Sequence, residues 1–488
     1  MGDLHLMAET AELVGPGVML GAEALMLEVA TVAQWLRRTA ARVVAWELDN
    51  GVDWIVLDLA CAEAGVVAVP LPGYFTDAQM EHALLDSSAE LVVLARSRPL
   101  PVLEDAAVVA GGLPNLLSPY RIYRRGVVRQ PDLDDVAKIT YTSGTTGQPK
   151  GVCLSQRAMS NVALSLLDAT RSLDLGSHLC ALPLATLLEN VAGVIAPLVA
   201  GMQVIVPPLA EVGLEGGARF DVRRLLVALH RYRPNSIILL PQMLLALVTA
   251  LEQGETVPED LRFVAVGGAR VPIDLLERAQ RCGLPVFEGY GLSECGSVVA
   301  LNRPDACRPG SVGWPLPHAC VRIAADGEIF VRGSTMLGYL GEERSAAAEI
   351  ATGDLGHFDR DGYLYVHGRK KNVFITSLGR NVSPEWVEAE LTATPVIAQA
   401  VVTGEGRPFN VAVLVPRPGI DGSTELLRRA VDGANSRLPD YARIGCWILA
   451  EEPWTVGNGL ATANGRPRRE AILAAYASRI EPLYARTA

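Results

Sequence analysis

The sequence lacks any uncharged apolar stretch of about 18 residues, the length a helix needs to cross a bilayer. No membrane span is therefore expected. The most apolar run, Val191–Val206, is broken by Gly193, Pro197 and Gly201 and reads as a buried helix, a turn and a strand. The first residues, Met1-Gly-Asp-Leu-His5, carry no basic segment leading into an apolar core, so no secretory signal is expected. Eight cysteines occur, but none are paired as C-x-x-C and none sit in a tight His/Cys cluster in the sequence. Neither a zinc site nor a disulfide framework is expected, and the cysteines read as buried free thiols in a reducing cytoplasm. Positive charge is also short: 43 basic residues face 54 acidic ones, a formal net charge of −11. Such a surface disfavours a polyanion, so no nucleic-acid partner is expected.

What is present suits a folded enzyme. The 488 residues are half hydrophobic and only 20% charged, which excludes disorder and allows two or three domains with large cores. Short apolar runs alternate with amphipathic helical patterns in the first 300 residues. Leu27–Arg42 has helical spacing, Val43–Trp46 reads as a buried strand, Trp54–Ala64 as a helix, and Gly65–Pro70 and Leu91–Ala95 as strands. The rhythm returns at Ser236–Leu240 (strand), Phe263–Val266 (strand) and Pro272–Cys282 (helix). It predicts an α/β fold of layered, mostly parallel sheets. After about residue 310 the pattern changes to hairpins, with Asp326-Gly327 and Asp361-Gly362 as turn dipeptides, predicting a small β subdomain. A smaller α+β region follows the basic run Arg369-Lys370-Lys371. It holds a helix at Pro384–Leu391, strands at Ala398–Val402 and Asn410–Val415, a helix at Thr424–Ser436, and a tail. The division read from this is residues 1–367, a hinge at 368–371, and a mobile domain at 372–488.

The sharpest local signal is Thr140-Tyr-Thr-Ser-Gly-Thr-Thr-Gly-Gln-Pro-Lys-Gly151. A strand leads into small and hydroxylated residues and then Lys150. Gly144 and Gly147 let backbone N–H groups face an anion, Thr142, Ser143, Thr145 and Thr146 add hydroxyls, and Lys150 adds a compact charge. The spacing is not that of a Walker A loop. A solvated Ser/Thr/Gly surface loop is the competing reading of composition alone.

The same segment resembles the signature of the adenylate-forming superfamily, which includes acyl-CoA synthetases, peptide-synthetase adenylation domains and luciferases. The resemblance extends from about residue 30 to 475. Glu288-Gly-Tyr-Gly-Leu-Ser-Glu294 is similar to the family's second nucleotide motif. The resemblance implies that Glu288, Gly289 and Gly291 belong to the nucleotide site, that Tyr290 stacks on adenine, that Ser293 bonds the α-phosphate and that Glu294 holds Mg²⁺. Gly268 and Ala269, in Gly267-Gly-Ala269, resemble its adenine-side loop. Asp354 in Thr352-Gly-Asp-Leu-Gly356 resembles the ribose carboxylate. Arg369 is expected near ribose and phosphate, and Lys371 at the hinge. Thr376-Ser-Leu-Gly-Arg-Asn-Val-Ser-Pro384 with Glu388 also matches, and Gly379 falls where the family passes a pantetheine arm. Leu182-Pro-Leu-Ala-Thr-Leu-Leu-Glu189 would line an acyl pocket, with Thr186 where relatives often carry His or an aromatic residue. The long-chain acyl-CoA synthetase branch is the most similar.

One position departs from the pattern. The family's C-terminal Thr-Gly-Lys reads here as Asn464-Gly-Arg466, so a planar guanidinium stands where a point-like ammonium is usual. The resemblance implies ATP-dependent conversion of a carboxylic acid, a fatty or related hydrophobic one, to an acyl-adenylate, with Lys150, Ser293, Glu294 and Arg466 as the catalytic set. Transfer to coenzyme A follows. A carrier-protein phosphopantetheine is the alternative acceptor, and a non-catalytic nucleotide binder the alternative function. Monomer and homodimer both remain open.

Overall fold

The computed structural model describes residues 7–96, 98–109, 112–126, 131–142, 149–216, 219–342, 349–377, 380–420, 424–462 and 464–485. Two large sheets dominate. One runs, in spatial order, Trp314–Pro315, Ala300–Leu301, Val286–Tyr290, Phe263–Val266, Ser236–Leu239, Ser177–Leu179, Gln203–Ile205, Glu12–Gly15 and Val18–Gly21. Its central strands are parallel and its edges antiparallel. The other runs Gly338–Tyr339, Lys150–Leu154, Lys138–Thr142, Val67–Pro70, Val43–Glu47, Leu91–Leu94, Arg121–Arg124 and Ala107–Val108.

The helices Ala22–Thr39 and Val52–Ala64 fill the space between these sheets. Leu36, Trp54 and Leu57 pack in one core with Val44 and Trp46 from one sheet and Val204 and Val206 from the other. Val52–Ala64 is apolar around nearly its whole circumference, as burial on both sides requires. It stops at Gly65, whose φ of 69° provides the left-handed turn that closes the helix. The outer faces are covered by Asp77–Asp86 on one sheet and by Val222–Tyr232, Pro241–Glu252 and Ile273–Arg281 on the other.

The strands Ala319–Ile323, Glu328–Gly333, Glu349–Phe358 and Leu364–Arg369 form an antiparallel sheet, as the turn dipeptides predict. In the C-terminal domain, Ile397–Thr403, Asn410–Pro416 and Ile444–Leu449 form a three-stranded sheet. Period-two alternation divides its side chains. Ala400, Val402, Ala412 and Leu414 face the helices Pro384–Thr392 and Thr424–Ser436, whereas Val401, Val411, Val413 and Val415 face Arg469–Ala485. The whole is a layered α/β N-terminal domain followed by a smaller C-terminal domain. No helix among the described residues is long and apolar enough to cross a membrane.

Several expectations change. The hairpin Glu12–Gly21 and the C-terminal elements Ile444–Leu449 and Arg469–Ala485 lie where no element is expected, the latter two in what reads as a tail. The helix in Val191–Val206 begins with a π-helical turn, Glu189–Ile195, where a Cβ on Gly193 would overlap the Glu189 carboxylate. Cys307 and Cys320 are exposed rather than buried. A His/Cys/Glu group also exists: His178, on the strand Ser177–Leu179, and Cys180, one residue past its end, meet Glu189 in the core.

Candidate active site

The loop expected to hold the nucleotide joins two antiparallel strands, with Thr142 opposite Lys150. Ser143, Gly144, Thr145, Thr146 and Gly147 lie outside the described residues, as does Gly379. The Lys150 ammonium is half-exposed, 3.1 Å from Glu342 and 4.8 Å from the centre of the Tyr339 ring. The Tyr339 hydroxyl donates to Glu294 Oε1 at 2.8 Å. Lys150 and Glu294, nearly 150 residues apart, thus meet on opposite sides of one tyrosine. Burial and the Glu294 carboxylate push the Tyr339 phenol up. Ser293 and Glu294 sit in a 3₁₀ turn that ends at Gly296 with φ 70°.

A second group adjoins this one. Tyr290 ends the parallel strand Val286–Tyr290 and donates its hydroxyl to Asp354 Oδ2 at 2.6 Å. Arg369 Nε lies 2.9 Å from Asp354 Oδ1, and Arg369 Nη1 donates to the Thr352 carbonyl at 2.9 Å. Strand register produces this pair, because Asp354 and Arg369 are direct cross-strand partners. Burial raises the Asp354 pKa, while Arg369 and the Tyr290 hydrogen bond oppose the rise. The Glu294 carboxylate also raises it, and Arg369 lowers the pKa of Tyr339, so the two groups act on each other electrostatically. Gly291 follows Tyr290 where the backbone presses on the Ser297 carbonyl, and a Cβ there would overlap it. Gly289 is less constrained: a Cβ there would lie 3.2 Å from the Leu301 side chain and 3.3 Å from the Ala300 carbonyl.

The third group crosses between domains. Gly268 and Ala269 are exposed at the end of the strand Phe263–Val266, and Arg466 Nη2 donates to the Gly268 carbonyl at 2.8 Å. Burial lowers the Arg466 pKa, as does Arg369, whereas Tyr74 and Asp354 raise it. Burial raises the Tyr74 pKa and the neighbouring Thr186 side chain lowers it, which places the segment expected to line an acyl pocket beside this group.

Glu288 lies beneath this surface. Burial pushes its pKa up to about 8, against the pull of Arg270 and the Val271 N–H, and its Oε2 has no hydrogen-bond partner among the described residues. Arg270 reaches the Val366 and His367 carbonyls at 3.2 and 3.4 Å and stands 5.6 Å over the Trp386 ring of the C-terminal domain. Lys370 is engaged with Asp326 and Glu328, and Lys371 is exposed. Glu388 forms a two-pronged pair with Arg469, at 2.6 and 2.7 Å, inside the C-terminal domain. Sequence reading missed Tyr339, Tyr74 and Arg270. None stands in a motif that sets it apart from an ordinary aromatic or basic residue.

Comparison with known proteins adds to this geometry. The AMP-binding enzyme family model matches residues 9–340, and the AMP-binding enzyme C-terminal domain model matches 371–488. The long-chain-fatty-acid–CoA ligase FadD15 of Mycobacterium bovis is 29% identical, over 88% of this chain and 86% of that protein. The feruloyl-CoA synthase of an Amycolatopsis species is 32% identical, over 84% and 87%. The o-succinylbenzoate CoA synthetase of Bacillus subtilis, solved with its acyl-adenylate intermediate, superposes with a TM-score of 0.75 at 25% identity, covering 94% of each chain.

Proposed function

Because the chain belongs to the AMP-binding enzyme family and is an acid–thiol ligase, we propose that it joins a hydrophobic carboxylic acid to coenzyme A through an acyl-adenylate, in the cytoplasm. A carboxylate oxygen attacks the α-phosphorus of ATP, and the bond to the β-phosphate oxygen breaks to release pyrophosphate. The thiol sulfur of coenzyme A then attacks the acyl carbon, losing its proton, and AMP leaves. Acceleration of such transfers comes from positioning and charge stabilisation.

The observation that carries this reading is the convergence of Tyr290, Asp354 and Arg369 with Arg466 from the C-terminal domain. In this reading Asp354 accepts from the ribose hydroxyls, and Tyr290, fixed by its bond to Asp354, covers adenine beside Gly268, Ala269, Glu288, Gly289 and Gly291. Thr142 to Gly147, Lys150 and Ser293 hold the phosphates, with Arg369 and Arg466 supplying charge on the other side. Glu294 suits Mg²⁺, because its carboxylate is partly exposed and the Tyr339 hydroxyl takes only one of its several lone-pair sites. The ion, when bound, neutralises charge on the phosphate oxygens. The hinge is assigned to residues 368–371 and the pantetheine passage to Gly379.

The test is pyrophosphate release across a panel of fatty and aromatic acids, followed by product mass with coenzyme A and with a phosphopantetheinylated carrier protein. Acyl-CoA formation is expected. ATP binding without pyrophosphate release from any acid would overturn the catalytic reading, and product on the carrier protein alone would overturn the acceptor.

A further inference from the structure

The helix Asp77–Asp86 takes no part in the chemistry above, yet it holds both ends of the nucleotide loop. At the start of the loop, the Tyr141 hydroxyl donates to Asp86 Oδ2 at 2.9 Å and lies 3.1 Å from the Ala83 carbonyl. At its end, His82 Nε2 is 3.0 Å from the Pro149 carbonyl, next to Lys150. A carbonyl only accepts, so His82 must carry its proton on Nε2 and donate. The His82 and Tyr141 rings also meet edge to face, 6.5 Å between centres. His82 and Asp86 are four residues apart and therefore share one face of the helix.

The helix is itself firmly placed. Thr76 and Gln79 form a capping box at its start. Met80, Ala83 and Leu84 are buried with Ile139 and Tyr141. Arg125 bonds the Leu84 and Ala89 carbonyls, both at 2.8 Å, at its other end. A firmly placed helix that touches Tyr141 and Pro149 fixes the separation of these two residues.

We infer that His82 is a positioning residue for the ATP phosphates. Together with the Tyr141–Asp86 contact, its hydrogen bond to Pro149 fixes the span of the loop between strands Lys138–Thr142 and Lys150–Leu154. The inference rests on the reading of Thr142–Lys150 as the ATP loop. It assigns a role to a histidine that touches neither substrate nor metal.

The test uses the full chain with Mg²⁺ and ATP. His82→Leu removes the donor, and His82→Gln restores an N–H at nearly the same reach. His82→Leu is expected to raise the KM for ATP about fivefold to tenfold, the effect of one net hydrogen bond, with the KM for the acid within twofold. His82→Gln is expected to recover most of the loss. Without nucleotide, amide hydrogen exchange in the peptide 138–154 is expected to rise in His82→Leu and return in His82→Gln. Unchanged exchange and ATP KM in His82→Leu overturn the inference, as does His82→Gln behaving like His82→Leu, or an equal rise in both KM values. If ATP neither binds the unmutated enzyme nor protects peptide 138–154, the ATP-loop reading fails and the role of His82 fails with it. Protection in the unmutated enzyme beside an unaffected His82→Leu refutes His82 alone.

Discussion

Arg466 donates a guanidinium N–H to the Gly268 carbonyl at 2.8 Å, joining residues 198 positions apart across the two domains. One arm of the fork is thereby engaged on the loop that follows the strand Phe263–Val266. The positive charge remains near Tyr74, Asp354 and Arg369, where burial already disfavours it. In the proposed reaction, negative charge developing on the phosphate would be the partner of opposite sign for this guanidinium.

Arg466→Ala is therefore expected to slow acid-dependent pyrophosphate release about 100-fold at saturating ATP, the scale for losing one preorganised charge-stabilising donor. Arg466→Lys keeps the charge and gives up the fork. If charge is what the α-phosphate needs, Arg466→Lys preserves or raises the rate. An unchanged rate in Arg466→Ala would remove the residue from the catalytic set.

Asp354 accepts from Tyr290 and pairs with Arg369, and each contact uses a different oxygen. Asp354→Asn removes the charge and replaces one acceptor oxygen with a donating NH₂, so only one of Tyr290 and Arg369 keeps its acceptor. The KM for ATP is expected to rise more than about tenfold, because a charged hydrogen-bond network is disrupted. Tyr290→Phe loses one hydrogen bond and keeps the ring, so its effect is expected to be about fivefold. Steady-state kinetics with ATP and acid varied separately read both, and the KM for the acid is expected to stay within twofold.

The order of layers was legible because the periods were clean. The residues 43–46 and 263–266 form strands where the apolar runs say so, and the turn dipeptides Asp326-Gly327 and Asp361-Gly362 fall between paired strands. The strand Ile444–Leu449 was not legible. It pairs in parallel with Asn410–Pro416, so its partner is distant in sequence and no hairpin turn announces it. At the site, motifs could nominate Tyr290, Asp354 and Arg369, but only register brings Asp354 opposite Arg369. Tyr339, His82 and Arg270 escaped because the contacts through which they act are made only by the fold. Glu189 shows the same limit from another side. It reads as the end of an acyl-pocket segment, yet it is fully buried, bonding His178 at 2.9 Å and the Leu182 N–H at 3.0 Å.

Glu288 gives a pH prediction. Its folded pKa is raised from 4.5 to about 8 by burial. Between those values the unfolded chain has lost the proton and the folded chain retains it, so stability falls as pH rises through that window. Glu288→Gln has no proton to lose and removes this slope. Thermal unfolding should give similar midpoints for the two proteins near pH 4.5 and a higher midpoint for Glu288→Gln at pH 8. The gain at pH 8 is expected to be about 1–3 kcal/mol, the cost of an unsatisfied buried polar group. Parallel profiles for the two proteins would remove Glu288 as the source of the slope.

A buried ion pair joins the layers behind the nucleotide loop. Lys138, on the strand leading to that loop, lies 2.9 Å from Asp58 on the helix between the sheets, with side-chain exposures of 4% and 6%. Asn190 completes the group, donating to Asp58 Oδ2 at 2.9 Å and accepting from Lys138. Removing one member leaves the other charge buried without its counter-charge, which costs about 3–5 kcal/mol. Lys138→Met and Asp58→Leu should each lower the thermal midpoint strongly. The double variant removes both charges and leaves only the Asn190 amide short of partners, so it is expected to be more stable than either single variant and to recover most of the loss. If the two single effects instead add in the double variant, the charges are not coupled through this contact.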